Sequence, residues 1–321
     1  MPLRPRVQLQ ICPLSDLEEL TNLFSRHMRN AGGRDYFLRR YRNYQDSSRL
    51  NIITIKYRGR IIGFSGFIPF RAHFLNKEVK GLITPDVFIE PSARRRFPIL
   101  FSRLYLFQRK ILPPGTGILL TFPHDEKIFR GFSSLGWRRF SKLYSFRFPL
   151  RLFSSFPRVG YGAVEVGIKK SFTKDVRAFY QRIRTQYDFL ILADERYLNF
   201  RYARWKSRSY TIFTAYQKNK MLGYLISRQD GPRGYIVELV ADLQHPKVIL
   251  LLLCRAIESF KENTVRVFCS LSHRKYITVL RDFGFLPFRK KDCLFLSFSS
   301  SIPIFNSSLC HINRTGRDDW Y

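Results

Sequence analysis

The chain has 321 residues, 45% of them hydrophobic, and carries 56 Lys and Arg against 24 Asp and Glu, a formal net charge of +32. That length accommodates one large or two ordinary domains at roughly 150 residues each, and the apolar share excludes intrinsic disorder as the default state. Residues 1–160 hold 29 basic and 10 acidic side chains (+19) and residues 161–321 hold 27 and 14 (+13), so the positive field covers the whole chain and either serves solubility or attracts an anion: nucleic acid, a membrane surface, an acidic carrier protein or a phosphate-rich co-substrate.

In chain order, Val7 to Ile11 alternates as a first strand. Ser15-Asp16 can cap a helix whose apolar face is Leu17, Leu20, Leu23, Phe24 and Met28, ended by Gly32-Gly33. Asp35 to Tyr44 reads as a basic second helix. Asn51 to Tyr57 and Ile61 to Phe70 read as a hairpin over Arg58-Gly59-Arg60. A third strand from Val79 runs through Leu82 to Glu90, Pro91-Ser92-Ala93 breaks it, Arg94-Arg95-Arg96 sit at the turn, and Pro98 stands where a helix through Ile99, Leu100, Arg103, Leu104 and Phe107 would begin. Ile118 to Phe122 is a short strand, Phe129, Phe132 and Leu135 suggest a helix stopped at Gly136-Trp137, and two strands follow near Phe140 to Phe148. Arg151 to Gly162 is rich in Phe, Ser, Pro and Gly and reads as a linker.

The pattern then starts again. Lys174 to Tyr187 and Asp194 to Trp205 read as helices, Tyr210 to Ala215 and Met221 to Arg228 as a hairpin over Lys218-Asn219-Lys220, and Tyr235 to Leu243 as a strand. Val248 to Phe260 is an apolar helix, Val265 to Ser270 a strand, and Tyr276 to Phe283 a helix ended by Gly284-Phe285. Both halves close on helix-Gly-aromatic, at Gly136-Trp137 and Gly284-Phe285, 148 residues apart, which is the signature of an internal repeat.

The five cysteines, Cys12, Cys254, Cys269, Cys293 and Cys310, form no Cys-x-x-Cys pair, a scattered odd set that suits a reducing compartment. MPLRPRVQLQ has no apolar signal core, and the longest apolar run, Val248 to Cys254, is far short of the roughly 20 residues a membrane-spanning helix needs. The expected location is the cytoplasm, with peripheral attachment to a membrane surface compatible with the charge. The sequence shows no Walker A loop, no zinc-ligand spacing and no Gly-x-Ser-x-Gly, and no metal is expected.

The stretch Gly81 to Tyr105 resembles motif A of the GNAT superfamily of acyl-CoA N-acyltransferases: a strand, a turn of the form Pro-x-x-Arg-Gly-x-Gly, and a helix. Pro91 and Arg94 match, while Arg95 and Phe97 occupy the two glycine positions. The close of the first half, Phe122-Pro123-His124, a helix, then Leu135-Gly136-Trp137, is similar to the close of that family's domain, with His124 where Asn is usual. In the second half the Tyr197 to Tyr202 pattern, the strand end at Asp242 and the tail Arg317-Asp318-Asp319-Trp320-Tyr321 resemble tandem members, although Gln244-His245-Pro246 stands where the phosphate turn would be. The resemblance implies an α/β fold with a mixed sheet in two tandem GNAT-like domains, residues 1–155 with the phosphate-turn motif and 156–321 with a degenerate one. It further implies acetyl-CoA or another acyl-CoA as co-substrate, held at Phe88, Ile89, Arg94, Arg95, Arg96 and Phe97, and transfer of the acyl group to an amine of a small-molecule or polysaccharide-related acceptor.

Acyl transfer to an amine needs a positioned thioester, a donor for the developing oxyanion and a base for the ammonium proton. The resemblance places the donor in the central-strand backbone near Phe88 and Ile89. Asp86 and Glu90, four apart and so on one face of a strand, are candidate bases, with Glu90 preferred; Glu238 and Asp242 are the candidates in the repeat. All four could instead be strand-end carboxylates paired with arginine, the commoner role, and Arg94 to Arg96 a pyrophosphate clamp or a solvated charge run. His124 and His273 are candidate bases or helix caps; Tyr197, Tyr202 and Trp205 line an acceptor pocket or the core. The family's frequent tyrosine acid, four residues before the closing glycine, is replaced by Phe132 and Leu280. Two further readings stand beside the acyltransferase: an aminoacyl-tRNA-dependent transferase of the peptidoglycan-bridge type, favoured by the charge, and a degenerate fold kept as a binding module, favoured by the missing glycines.

Overall fold

In a computed structural model the described residues are 7–27, 33–42, 48–97, 99–111, 116–123, 126–150, 162–204, 210–260, 263–297 and 310–311. They fall into two units, Met1–Pro69, Lys80–Trp137 and Phe295–Ile302 in the first, Phe70–Val79, Arg138–Leu294 and Pro303–Tyr321 in the second.

The first unit contains β1 (Gln8–Pro13), α1 (Leu17–His27), α2 (Gly33–Tyr41), β2 (Arg49–Tyr57) and most of β3 (Arg60–Phe74) and β4 (Lys77–Ile89), then α3 (Pro91–Arg96), α4 (Leu100–Lys110), β5 (Thr116–Thr121) and α5 (Glu126–Ser134). In α1 the residues Leu17, Leu20, Leu23 and Phe24 are buried, acids occupy its first turn and Arg26 and His27 its last, as the helix dipole favours. The strand order is β1-β2-β3-β4-β5; β1–β2 and β2–β3 are antiparallel and β4–β5 is parallel. The β2–β3 turn places both Arg58 (φ 52°) and Gly59 (φ 79°) in the left-handed region that a two-residue hairpin requires.

The second unit contains β6 (Arg138–Pro149), β7 (Glu165–Lys169), α6 (Asp175–Ile183), β8 (Phe189–Leu192), α7 (Glu195–Leu198), β9 (Tyr210–Gln217), β10 (Lys220–Asp230), β11 (Arg233–Ala241), α8 (Lys247–Glu258), β12 (Arg266–Leu271), α9 (Arg274–Asp282), most of β13 (Leu286–Ser297), and β14 (Cys310–His311). Its sheet runs β7-β9-β10-β11-β12-β6, with β11–β12 parallel and the other pairs antiparallel. The order β7-β9-β10-β11-β12 repeats β1-β2-β3-β4-β5, and the β9–β10 turn again carries two positive φ angles, at Lys218 (46°) and Asn219 (63°). α8 is apolar nearly all round and packs on β9, β10 and β11. Residues 71–74 pair with β8, and β8 also pairs with β14.

Three local expectations change. Pro91 to Arg96 is a short helix where a phosphate turn was expected: no glycine stands between Pro91 and Phe97 to give a left-handed turn, Pro91 starts the right-handed coil, and the Arg94 and Phe97 amides donate to the Glu90 and Ala93 carbonyls at 2.9 and 2.8 Å. β6 is one strand and not two, because no Gly, Asn or Asp interrupts Arg138 to Pro149. The expected helix from Asp194 ends early: after α7, Asn199–Ala203 forms a π-helical turn, pinned where the Asn199 side chain bonds the Phe172 backbone N–H and C=O at 2.7 and 2.9 Å. Pro98, His124, Trp205, the Arg317 to Tyr321 tail and nearly all of the expected linker lie outside the described residues.

Candidate functional site

β4 and β5 pair only from Lys80 to Thr84, yet β4 runs on to Ile89. Pro85, which has no N–H to offer, stands where the pairing stops, a position proline tolerates in a strand. The Glu90 amide donates to the Ile62 carbonyl at 2.9 Å; by strand alternation Phe88 and Glu90 bond toward β3, while Val87 and Ile89 present N–H and C=O on the edge that β5 has left. Gly63 makes the β3 side of this approach possible, since a Cβ there would lie 2.7 Å from the Phe88 carbonyl oxygen. Among the described residues, therefore, no strand pairs with this edge of β4 beyond Thr84, and its aligned backbone donors and acceptors lead directly into α3. Such an edge can pair with the amides of an extended ligand arm.

The second unit has the same parting. β11 pairs with β12 only from Arg233 to Ile236 and continues to Ala241, and the Asp242 amide donates to the Leu222 carbonyl at 2.8 Å. Here the edge is closed. The Ala241 amide, in the place of Ile89, donates to the Tyr276 hydroxyl at 2.7 Å, the Ala241 carbonyl accepts from Tyr187 at 2.6 Å, and the two hydroxyls lie 2.8 Å apart. Counted from the closing glycines, the first-unit residue at the position of Tyr276 is Ile128, which has no hydroxyl.

His273 completes this plug. It is fully buried, its Nδ1 accepts from the Lys275 amide at 3.2 Å as the cap of α9, and its ring packs edge-on to Tyr187 and Tyr276. It is thus a cap, one of its two expected roles. Burial, and secondarily the Lys275 charge, lower its pKa to about 4, against a small opposing effect of Asp188. A folded pKa below the unfolded value of about 6.5 means that protonation favours unfolding. The stabilisation is complete above pH 6.5 and disappears as pH falls toward 4, by about 3 kcal/mol at most. Thermal melts between pH 7 and pH 4.5 should therefore fall more steeply for the native chain than for His273→Asn, which keeps a capping side chain and removes the titration.

The candidate carboxylates separate into two kinds. Asp86 is buried and is held by the Tyr36 hydroxyl at 2.7 Å, by the Tyr41 hydroxyl, and by an ion pair with Arg40 at 3.1 Å, the arginine side chain being fully buried. Burial first, and then the Asp86 charge, push the Tyr41 hydroxyl well above its ordinary pKa, so it stays a donor. Glu238 sits likewise in β11, accepting from Tyr202 at 2.7 Å and from Tyr224. Asp242 is buried among Gln186 at 2.9 Å, the Gln244 amide at 3.0 Å and Arg182 at 3.5 Å, where it closes the loop after β11. Glu90 differs in its company. Its partners are Arg60 at 3.2 Å, His27 at 3.8 Å and Arg26 at 3.9 Å, of which both arginines are exposed. It shares the Asp86 face of β4, with Phe88 between them packing on His27 at 5.2 Å.

Arg94 and Arg95 are exposed and make no ion pair or side-chain hydrogen bond among the described residues. Arg96 lies over the Tyr57 ring at 4.9 Å and near the Phe97 ring at 5.5 Å. The structure thus puts Phe88, Ile89 and Glu90 at the end of one strand and Arg94, Arg95 and Arg96 on the short helix that follows, and it sets Asp86 apart as a buried anchor. Tyr202 belongs to the second unit's core, and Tyr197 packs against it. Sequence reasoning missed Tyr36, Arg40 and Tyr41, although their signal was present: Tyr-x-x-x-Arg-Tyr occurs at Tyr36 to Tyr41 and again at Tyr197 to Tyr202. It also missed His27, for which the sequence carried no signal.

No family model matches the chain, and no curated protein does. Solved structures match over nearly all of it. A GCN5-related N-acetyltransferase from Anabaena variabilis superposes with TM-score 0.68 at 12% identity, covering 90% of this chain and 72% of its own. Saccharomyces cerevisiae N-myristoyltransferase with bound myristoyl-CoA gives TM-score 0.64 at 12% identity, over 99% of this chain and 84% of its own. An Enterococcus faecalis protein described as a probable N-acyltransferase gives TM-score 0.64 at 12% identity, over 91% and 73%. The chain has the fold of the GCN5-related N-acetyltransferases, as the sequence resemblance implied. Among the described residues no helix is long and apolar enough to cross a membrane.

Proposed function

We propose that the chain is an N-acyltransferase that takes its acyl group from a phosphopantetheine thioester, in the simplest case acetyl-CoA, and that the first unit carries the donor site. The observation that carries this reading is the contrast between the two partings: among the described residues the β4 edge at Val87 and Ile89 has no partner, and its counterpart at Ala241 is filled by Tyr276 and Tyr187. The Val87 and Ile89 backbone would hold the pantetheine amides, and Arg94 and Arg95 would meet the phosphates as charge-assisted donors. In this aminolysis the C–N bond forms and the C–S bond breaks; the proton lost by the amine passes to a carboxylate, for which Glu90 is the choice, and from it to the departing thiolate, so that the thiol leaves protonated and the carboxylate is restored. The acceptor is an amine on a small molecule or a polysaccharide-related sugar. Incubating the protein with labelled acetyl-CoA and a panel of amino sugars and amines tests this: label should enter an amide, and label entering only hydroxyl acceptors would overturn it.

The net charge of +32 supports one rival, aminoacyl transfer from tRNA. Tight, steeply salt-dependent tRNA binding without coenzyme A binding would select it.

A further inference from the structure

The outer face of α4 is built from four residues at helical spacing, Ile99, Arg103, Leu106 and Lys110. The opposite face, Leu100, Leu104, Tyr105 and Gln108, is buried. Ile99 is 63% exposed and Leu106 54% exposed, among the most exposed large apolar side chains described. The 20 residues from Pro91 to Lys110 hold six arginines and lysines and no acid, and Arg94, Arg95, Arg103 and Lys110 make no ion pair among the described residues. α3 connects this face to the open end of β4.

We infer that this face docks an acidic, phosphopantetheine-bearing acyl carrier protein, whose arm would enter along the open β4 edge; the inference rests on the donor site proposed above and names its donor. Three features favour this occupant. The stripe's cations, Arg103 and Lys110, make no ion pair among the described residues, and its apolar residues are aliphatic and alternate with them, which complements an acidic helix bearing small apolar side chains. An anionic membrane is less well matched, because an interfacial helix separates its apolar and charged faces and this one mixes them. RNA is less well matched because the exposed apolar groups of the stripe are not aromatic and offer no stacking platform. In addition, the helical turn Pro91 to Arg96 lacks the glycines that let backbone approach a pyrophosphate, whereas a carrier's arm has one phosphodiester and relies on protein contacts for the rest. Transfer balances as before: the C–S bond breaks and the protonated thiol remains on the carrier.

Fluorescence anisotropy of a labelled type II acyl carrier protein in its holo form, with the full chain as titrant, tests the inference. Coenzyme A binding is measured in parallel by calorimetry. The expected result is holo-carrier binding at least tenfold tighter than coenzyme A, weakened tenfold or more by raised salt and by Arg103→Glu/Lys110→Glu, while that variant keeps coenzyme A affinity and melting temperature. Leu106→Ser should weaken carrier binding with less salt sensitivity. Coenzyme A binding without carrier binding would overturn the docking face and leave the donor site standing. Loss of both ligands would overturn both. Carrier binding unchanged by the charge reversal, or binding of the variant-sensitive face only to phosphatidylglycerol vesicles, would also overturn the inference.

Discussion

Asp86→Ala should lower the melting temperature of the first unit by roughly 6–20 °C, the equivalent of about 3–5 kcal/mol for removing one partner of a buried ion pair. The cause is the group left behind. The Arg40 side chain is fully buried and would keep its charge without the carboxylate at 3.1 Å, and the Tyr36 and Tyr41 hydroxyls would lose their acceptor. The double variant Arg40→Leu/Asp86→Leu should recover much of the loss, because neither charge of this pair then remains buried without its partner. Circular dichroism melts of the three proteins decide the matter. If Asp86→Ala melts with the native protein but abolishes turnover, Asp86 is not an anchor and becomes the first choice as base.

Glu90→Gln should cut turnover by roughly a hundredfold while leaving coenzyme A affinity nearly unchanged. The substitution keeps size and removes the charge. Arg60, Arg26 and His27 surround the carboxylate from the first unit, and two of them are solvent-exposed, so their charges can be rehydrated and the fold should be little affected. Steady-state kinetics with acetyl-CoA and the best amine acceptor read the effect. Equal loss of coenzyme A binding would mark Glu90 as a support for α3, and unchanged turnover would remove it from the chemistry.

Much of the architecture was legible because it rests on local periodicity and turn chemistry. The hairpin over Arg58-Gly59, the face of α1, the apolar α8 and the helix-Gly-aromatic closes were all visible in the residues. β7 and β8 were not: Glu165–Lys169 is largely exposed and Phe189–Leu192 has four residues, and both are strands because of the partners they find. The strand-to-helix connection after Glu90 was misjudged for a definite reason. A family turn needs glycine, and without it Pro91 to Arg96 coils as a helix. The candidate carboxylates could be named from the sequence, since all lie within or just after apolar strands, but not sorted. Sorting required knowing that α2 brings Tyr36, Arg40 and Tyr41 onto Asp86, a contact spanning some fifty residues. The closure of the second unit's edge depends in the same way on Tyr187 and Tyr276, which are far apart in the chain.

On the proposed reading one half of the repeat holds a donor site and the other half does not. Calorimetric titration of the full chain with coenzyme A tests it most directly, run on the native protein and on Arg94→Ala/Arg95→Ala/Arg96→Ala. One site per chain is expected, weakened tenfold or more in the triple variant by the loss of charge-assisted hydrogen bonds of about 1.5–3 kcal/mol each. Two sites per chain, no binding, or equal affinity in the triple variant would contradict it.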